Sequence, residues 1–111
     1  MSHLIVNHNT VTLDKNGFLK DRSQWNEAVA KAIAIQENME LTEQHWQLIY
    51  FLRHFYKRYE FIPPLRAFIK SVKNECDPAL ANSITLHKLF PGSPIKYLSK
   101  IAGLPKPSHC M

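Results

Sequence analysis

A cysteine one position from the end of the chain, Cys110, lies beyond Pro105 and Pro107 in the run Leu104-Pro105-Lys106-Pro107-Ser108-His109-Cys110-Met111. Two prolines forbid helix there, and the segment offers little apolar material to bury. A thiol in such a place is accessible to other molecules, and its thiolate is the reactive form. Near the unperturbed pKa of ~8.5, only a few per cent is ionised at neutral pH. Lys106 and a protonated His109 raise that fraction, whereas the terminal carboxylate lowers it. The chemistry open to Cys110 is that of an exposed nucleophilic thiol.

The other chemistry-bearing residues form no comparable constellation. Cys76 sits among Asn74, Glu75 and Asp77 at a predicted helix end, where a structural or incidental thiol is expected. His3, His8, His45, His54, His87 and His109 include no H-E-x-x-H pair and no Cys/His ligand spacing, so no metal or other cofactor is expected. The nine carboxylates fall in turns, caps and charged helical faces, giving no acid and base pair in an apolar pocket. With three glycines and no G-x-S-x-G, hydrolase and phosphate-loop motifs are absent.

The elements that must position Cys110 follow from periodicity. Leu4, Ile5 and Val6, then Val11 and Leu13, flank the turn-prone Asn7, His8 and Asn9 and predict a hairpin, with a second turn at Asp14 to Gly17. Ser23 is the expected cap of a helix with Trp25, Val29, Ala32 and Ile33 on one stripe, fading near Asn38. Thr42 caps a second, with Leu41 and Trp46 as a hydrophobic staple and Leu48, Ile49, Leu52, Phe55, Tyr56 and Tyr59 along its apolar face. Pro63 and Pro64 start a third, apolar at Leu65, Phe68, Ile69 and Val72 and basic at Arg66, Lys70 and Lys73. A fourth is expected from Asp77-Pro78 to Leu89 and Phe90. The last begins at Ser93-Pro94 and stops at Gly103.

The expected architecture is mainly α (α+β): about five helices with an N-terminal β-hairpin and a helix-turn-helix-like centre. Residues 1–103 form one domain and residues 104–111 a flexible C-terminal arm. Held extended by its prolines at ~3.1 Å per residue, the stretch from Leu104 to Cys110 reaches ~20 Å.

At 111 residues the chain has room for one core, and 45% apolar with 21% charged residues is ordinary globular composition. No apolar run approaches the ~20 residues that cross a bilayer, and no export signal is visible at the start, so a cytoplasmic protein without a membrane partner is expected. The net charge of +5 is uneven: residues 1–56 hold five Lys or Arg against six Asp or Glu, and residues 57–111 hold nine against three. A basic half favours polyanions. It also leaves open a helix-turn-helix DNA binder built on the third and fourth helices, although the connection at Glu75 to Pro78 is long and acidic for that motif.

Leu89-Phe90-Pro91, Pro94 and the run Lys100-Ile101-Ala102-Gly103-Leu104-Pro105-Lys106-Pro107, followed by Cys110, resemble the C-terminal signature of the TusE/DsrC sulfur-carrier family. Gly17-Phe18-Leu19, Trp25, the Leu41 to Trp46 helix start with His45, Arg53 with Phe55-Tyr56, Pro63 with Arg66 and Lys70, and Asn82-Ser83 extend the resemblance over nearly the whole chain. Ile84-Thr85 and Tyr97-Leu98 depart from it. One branch of the family carries a second arm cysteine eleven positions before the penultimate one; here that residue is Ser99. The resemblance therefore implies the TusE branch. It implies a sulfurtransferase whose Cys110 accepts persulfide sulfur from a TusBCD-like donor complex. The sulfur then passes to an MnmA-like tRNA thiouridylase for 2-thiolation of the wobble uridine. Lys100, Pro105, Lys106, Pro107 and His109 would serve docking of the arm. The alternatives are a DsrC-like subunit or redox partner of a dissimilatory sulfite reductase system, including a disulfide between Cys110 and Cys76, and the DNA binder above.

Overall fold

Asn7 and His8 both adopt positive φ, 50° and 70°, the pairing that a two-residue hairpin turn demands of its central residues. The turn joins β1 (Ser2–Val6) to β2 (Asn9–Leu13) in antiparallel register, Val6 opposite Asn9 and Ser2 opposite Leu13. Asn9 thus belongs to the strand rather than to the turn. A computed structural model describes residues 2–107. The arm residues Ser108, His109, Cys110 and Met111 lie outside the described residues.

Behind the hairpin, Asp14 accepts hydrogen bonds from the amides of Asn16 and Phe18 at 2.8 and 3.0 Å and folds the chain back, so that Leu13 bridges Leu19. The next element differs from its prediction. Asp21, not Ser23, caps a short 3-10 turn over Arg22–Gln24. The chain then extends through Trp25, and Asn26 accepts from the Val29 amide at 2.9 Å to start α1 (Glu27–Gln36). Two short polar side chains in succession each satisfy free amides, and the second reset releases Trp25 from the helical stripe.

Helix α2 (Glu43–Tyr59) starts at Thr42 as expected. The Thr42 amide donates to His45 Nδ1 at 3.0 Å, while His45 Nε2 lies 2.7 Å from the Leu89 carbonyl oxygen. An amide can only donate and a carbonyl can only accept, so the ring carries its hydrogen on Nε2. His45 is buried and fully engaged in fixing where α2 begins.

Helix α3 (Leu65–Glu75) follows Pro64 and buries Phe68 and Val72 while Arg66, Lys70 and Lys73 stay exposed. The single helix expected from Asp77 to Phe90 is two pieces. Asp77 caps a 3-10 turn at Pro78–Leu80, and Asn82 then accepts from the Thr85 amide at 2.8 Å to open α4 (Ser83–Leu89). The α3 to α4 connection, residues 76–82, is correspondingly wider than a tight helix-turn-helix turn. Helix α5 (Pro94–Ile101) packs against both α1 and α2, with Leu98, Ser99, Lys100 and Ile101 all buried. The core joins both faces of this arrangement, from Leu13 and Phe18 through Ile33, Leu48 and Leu52 to Phe68, Phe90 and Ile101.

Candidate functional site

The sequence assigns the chemistry to residues 104–111, and the structure shows how that segment is launched. Helix α5 ends in a complete Schellman turn: the Leu104 amide donates to the Ser99 carbonyl at 3.0 Å and the Gly103 amide to the Lys100 carbonyl at 3.2 Å. Gly103 has φ 72°. The next two carbonyls, which no later helical turn could satisfy, each receive a side-chain donor. Trp25 Nε1 donates to Ile101 O at 2.9 Å, and Arg53 Nη1 donates to Ala102 O at 2.7 Å. Four carbonyls that a helix end leaves open are thereby closed.

The two side chains brace each other. The Arg53 guanidinium sits 3.9 Å from the centre of the Trp25 ring, close enough for a cation–π contact. Partial burial draws the Arg53 guanidinium below its ordinary range. Tyr50 packs edge-on against Trp25 at 6.0 Å, and its hydroxyl donates to the Glu27 carboxylate, which holds the phenol above its usual range. At Gly103 a Cβ would stand 2.3 Å from Trp25 Cδ1 and 2.7 Å from Cγ. Glycine is required there twice, for its positive φ and for the tryptophan lying against it. The clamp fixes the direction in which the chain leaves the body.

Among the residues assigned to arm docking, Pro105 and Pro107 are half-buried and Lys106 is exposed, so their places are compatible with a surface role. Lys100 requires a correction. Its side chain is 6% exposed and its Nζ lies 3.2 Å from Glu37 Oε2, within 5.5 Å of the Phe18 ring centre and 5.2 Å of Tyr97. Helical period puts position 100 on the inner side of α5, where the ammonium ties the end of α1 to α5. Leu104, expected to open the arm, is buried at 5% exposure and packs with the core. The catalytic assignment to Cys110, and His109 beside it, lies outside the described residues.

Ser99, at the place of the second arm cysteine, is wholly buried and its hydroxyl has no hydrogen-bond partner among the described residues. Cys76 is a free thiol at the end of α3, half-buried, and burial pushes it up against the opposing hydrogen bond from the Asp77 backbone. Among the described residues no three His, Cys, Asp or Glu side chains converge as a metal site would need, and no helix is long and apolar enough to cross a membrane.

The Trp25 and Arg53 clamp is the part of the site that sequence reasoning placed incorrectly or missed. The sequence puts Trp25 on a helical stripe and names Arg53 only among the residues that carry the resemblance, with no role for either at the arm. The only local signal is an arginine in register with Ile49 and Leu52 on an apolar face.

The chain and its fold both have known relatives. Residues 5–111 match the family described as DsrC like protein. The chain is 42% identical over 108 residues to the Sulfurtransferase TusE of Salmonella choleraesuis, covering 97% of this chain and 99% of that protein. It is 44% identical over 108 residues to the Sulfurtransferase TusE homolog of Haemophilus influenzae, with the same coverage. The solution structure of Allochromatium vinosum DsrC superposes with a TM-score of 0.90 at 37% identity, covering 99% of this chain and 98% of that one. The oxidized gamma-subunit of the dissimilatory sulfite reductase (DsrC) from Archaeoglobus fulgidus gives 0.85 at 39% identity, covering 99% and 100%. With a family match spanning nearly its whole length and a shared fold, the chain belongs to the DsrC-like family.

Proposed function

We propose that this protein is a sulfur carrier, with Cys110 as the atom-bearing residue and residues 105–111 as the carrying arm. The Cys110 thiolate attacks the outer sulfur of a donor persulfide; the donor's S–S bond breaks, its own thiolate leaves with the electron pair, and Cys110 holds the persulfide. Delivery repeats the exchange, an acceptor thiolate attacking the outer sulfur and Cys110 leaving as thiolate. No net oxidation occurs in either step. The donor is a TusBCD-like complex and the acceptor an MnmA-like enzyme that thiolates the wobble uridine of tRNA, a cytoplasmic reaction. The carrier works stoichiometrically and needs no cofactor.

The observation that carries the reading is the clamp at the arm's root, followed directly by a proline-rich stretch that ends in a cysteine. A fixed root with a stiff extension lowers the entropy lost when the tip docks in a partner's pocket. The relatives named Sulfurtransferase TusE support the same chemistry. The solved relatives described with dissimilatory sulfite reductase favour the second reading, a subunit of such a system. Ser99 weighs against it, because a hydroxyl cannot resolve a persulfide into a disulfide and sulfide.

Incubating the protein with a persulfide donor and measuring its intact mass tests the proposal. The account expects a gain of one sulfur atom in wild type and in Cys76→Ser, and none in Cys110→Ser. An adduct that survives in Cys110→Ser overturns it.

A further inference from the structure

Beside the arm's root lies a groove of about 510 Å³ whose charged walls come from the 3-10 turn and α2. Arg22, Arg53, His54 and Lys57 line it together with Tyr50 and Tyr56, and Gly103 and Leu104 form its edge. Among the described residues no aspartate or glutamate lines it. Arg22, His54 and Lys57 are exposed, and Arg22 sits 5.6 Å from the centre of the Tyr56 ring. Arg53 turns one nitrogen to Ala102 O and one face to Trp25, and among the described residues no carboxylate forms an ion pair with it. Glu27, the acid that meets the aromatic wall, is held by the Tyr50 hydroxyl.

We propose that this groove binds the phosphate backbone of an RNA strand, the strand that the sulfur acceptor presents. The volume far exceeds one phosphate, so the groove has room for more than a lone oxyanion. Arg53 and Lys57 stand one helical turn apart on α2, ~6 Å along the axis, and so can engage successive phosphates rather than one. Tyr50 is 44% exposed and lines the groove with Tyr56, so aromatic surface on which a base can stack lies beside the cations. Distance also fits the role. Cys110 is six residues beyond Leu104, and six residues span at most ~20 Å. RNA held in the groove therefore lies within reach of the sulfur. The choice of RNA rests on the relay reading; the basic character of the groove does not.

The test titrates a fluorescein-labelled RNA stem-loop with the full-length protein across a range of salt. Arg53 is spared because it clamps α5. Arg22→Gln with Lys57→Gln is compared with Lys70→Gln and Lys73→Gln, which remove the same charge from the exposed side of α3. The groove pair should weaken binding about tenfold and lower the slope of log affinity against log salt by about 1.4, whereas the α3 pair should change affinity no more than about twofold. Equal losses in the two pairs would overturn the proposal, as would polyglutamate or duplex DNA competing as well as the RNA itself. Sulfur loading of Cys110, followed by mass in the same variants, should match wild type. A failure of loading with groove-dependent RNA binding intact would count against the relay alone, and normal loading with no RNA binding would count against the groove alone.

Discussion

At Cys76 burial opposes ionisation and outweighs the hydrogen bond from the Asp77 backbone that favours it, so its pKa rises above the ordinary thiol value. The thiolate fraction at about pH 8 is then below that of a free cysteine. Iodoacetamide should alkylate Cys76 more slowly than a cysteine in a short peptide, with the gap closing as pH rises through the shifted value. Mass-resolved labelling of Cys110→Ser measures it, and equal rates would contradict the assignment. The same residue binds its proton more tightly when folded, so whatever stability this contributes is present at neutral pH and is lost as alkalinity passes the folded pKa. Ser99 gives a second prediction. A buried hydroxyl without a partner forfeits its bonds to water, so Ser99→Ala should raise stability by about 1 kcal/mol in urea unfolding. A loss of stability would show that the hydroxyl is satisfied in solution.

The end of α5 is an element whose geometry depends on residues distant in sequence. Gly103→Ala must displace the Trp25 ring and hold alanine at positive φ, which should cost at least about 2 kcal/mol. Trp25→Phe keeps an aromatic ring but orphans the Ile101 carbonyl, at about 1–2 kcal/mol. Thermal melts of both should fall, and a neutral Gly103→Ala would contradict the clamp. The stop at Gly103 and the start at Thr42 were readable in sequence because caps are local: a glycine after a periodic run, a hydroxyl before one. The break between Asp77 and Ser83 was not, because Asp77 and Asn82 are both competent caps and only tertiary packing decides that both are used. Trp25 escaped for the same reason. Its spacing to Val29 and Ile33 is helical, yet its partner is a carbonyl 76 residues away.

For the whole molecule, the question is where the packed body gives way to the arm. Composition placed that change at Gly103, because Leu104 stands alone among prolines; the structure buries Leu104 and ties its amide to Ser99. Removing 104–111 should therefore cost about 2–3 kcal/mol more than removing 105–111, or roughly 10 °C in Tm. Equal melting of the two truncated chains would return the boundary to Gly103. The thiol itself was legible from the sequence alone, whereas the clamp at the end of α5 appears only when the Trp25 segment, α2 and α5 are assembled. Its central claim is settled most directly in protein taken from growing cells into an alkylating reagent, digested and weighed peptide by peptide. The account predicts an extra sulfur atom on the peptide holding Cys110 and none on that holding Cys76. Sulfur found on Cys76, or Cys110 recovered only as a disulfide with it, would contradict the account.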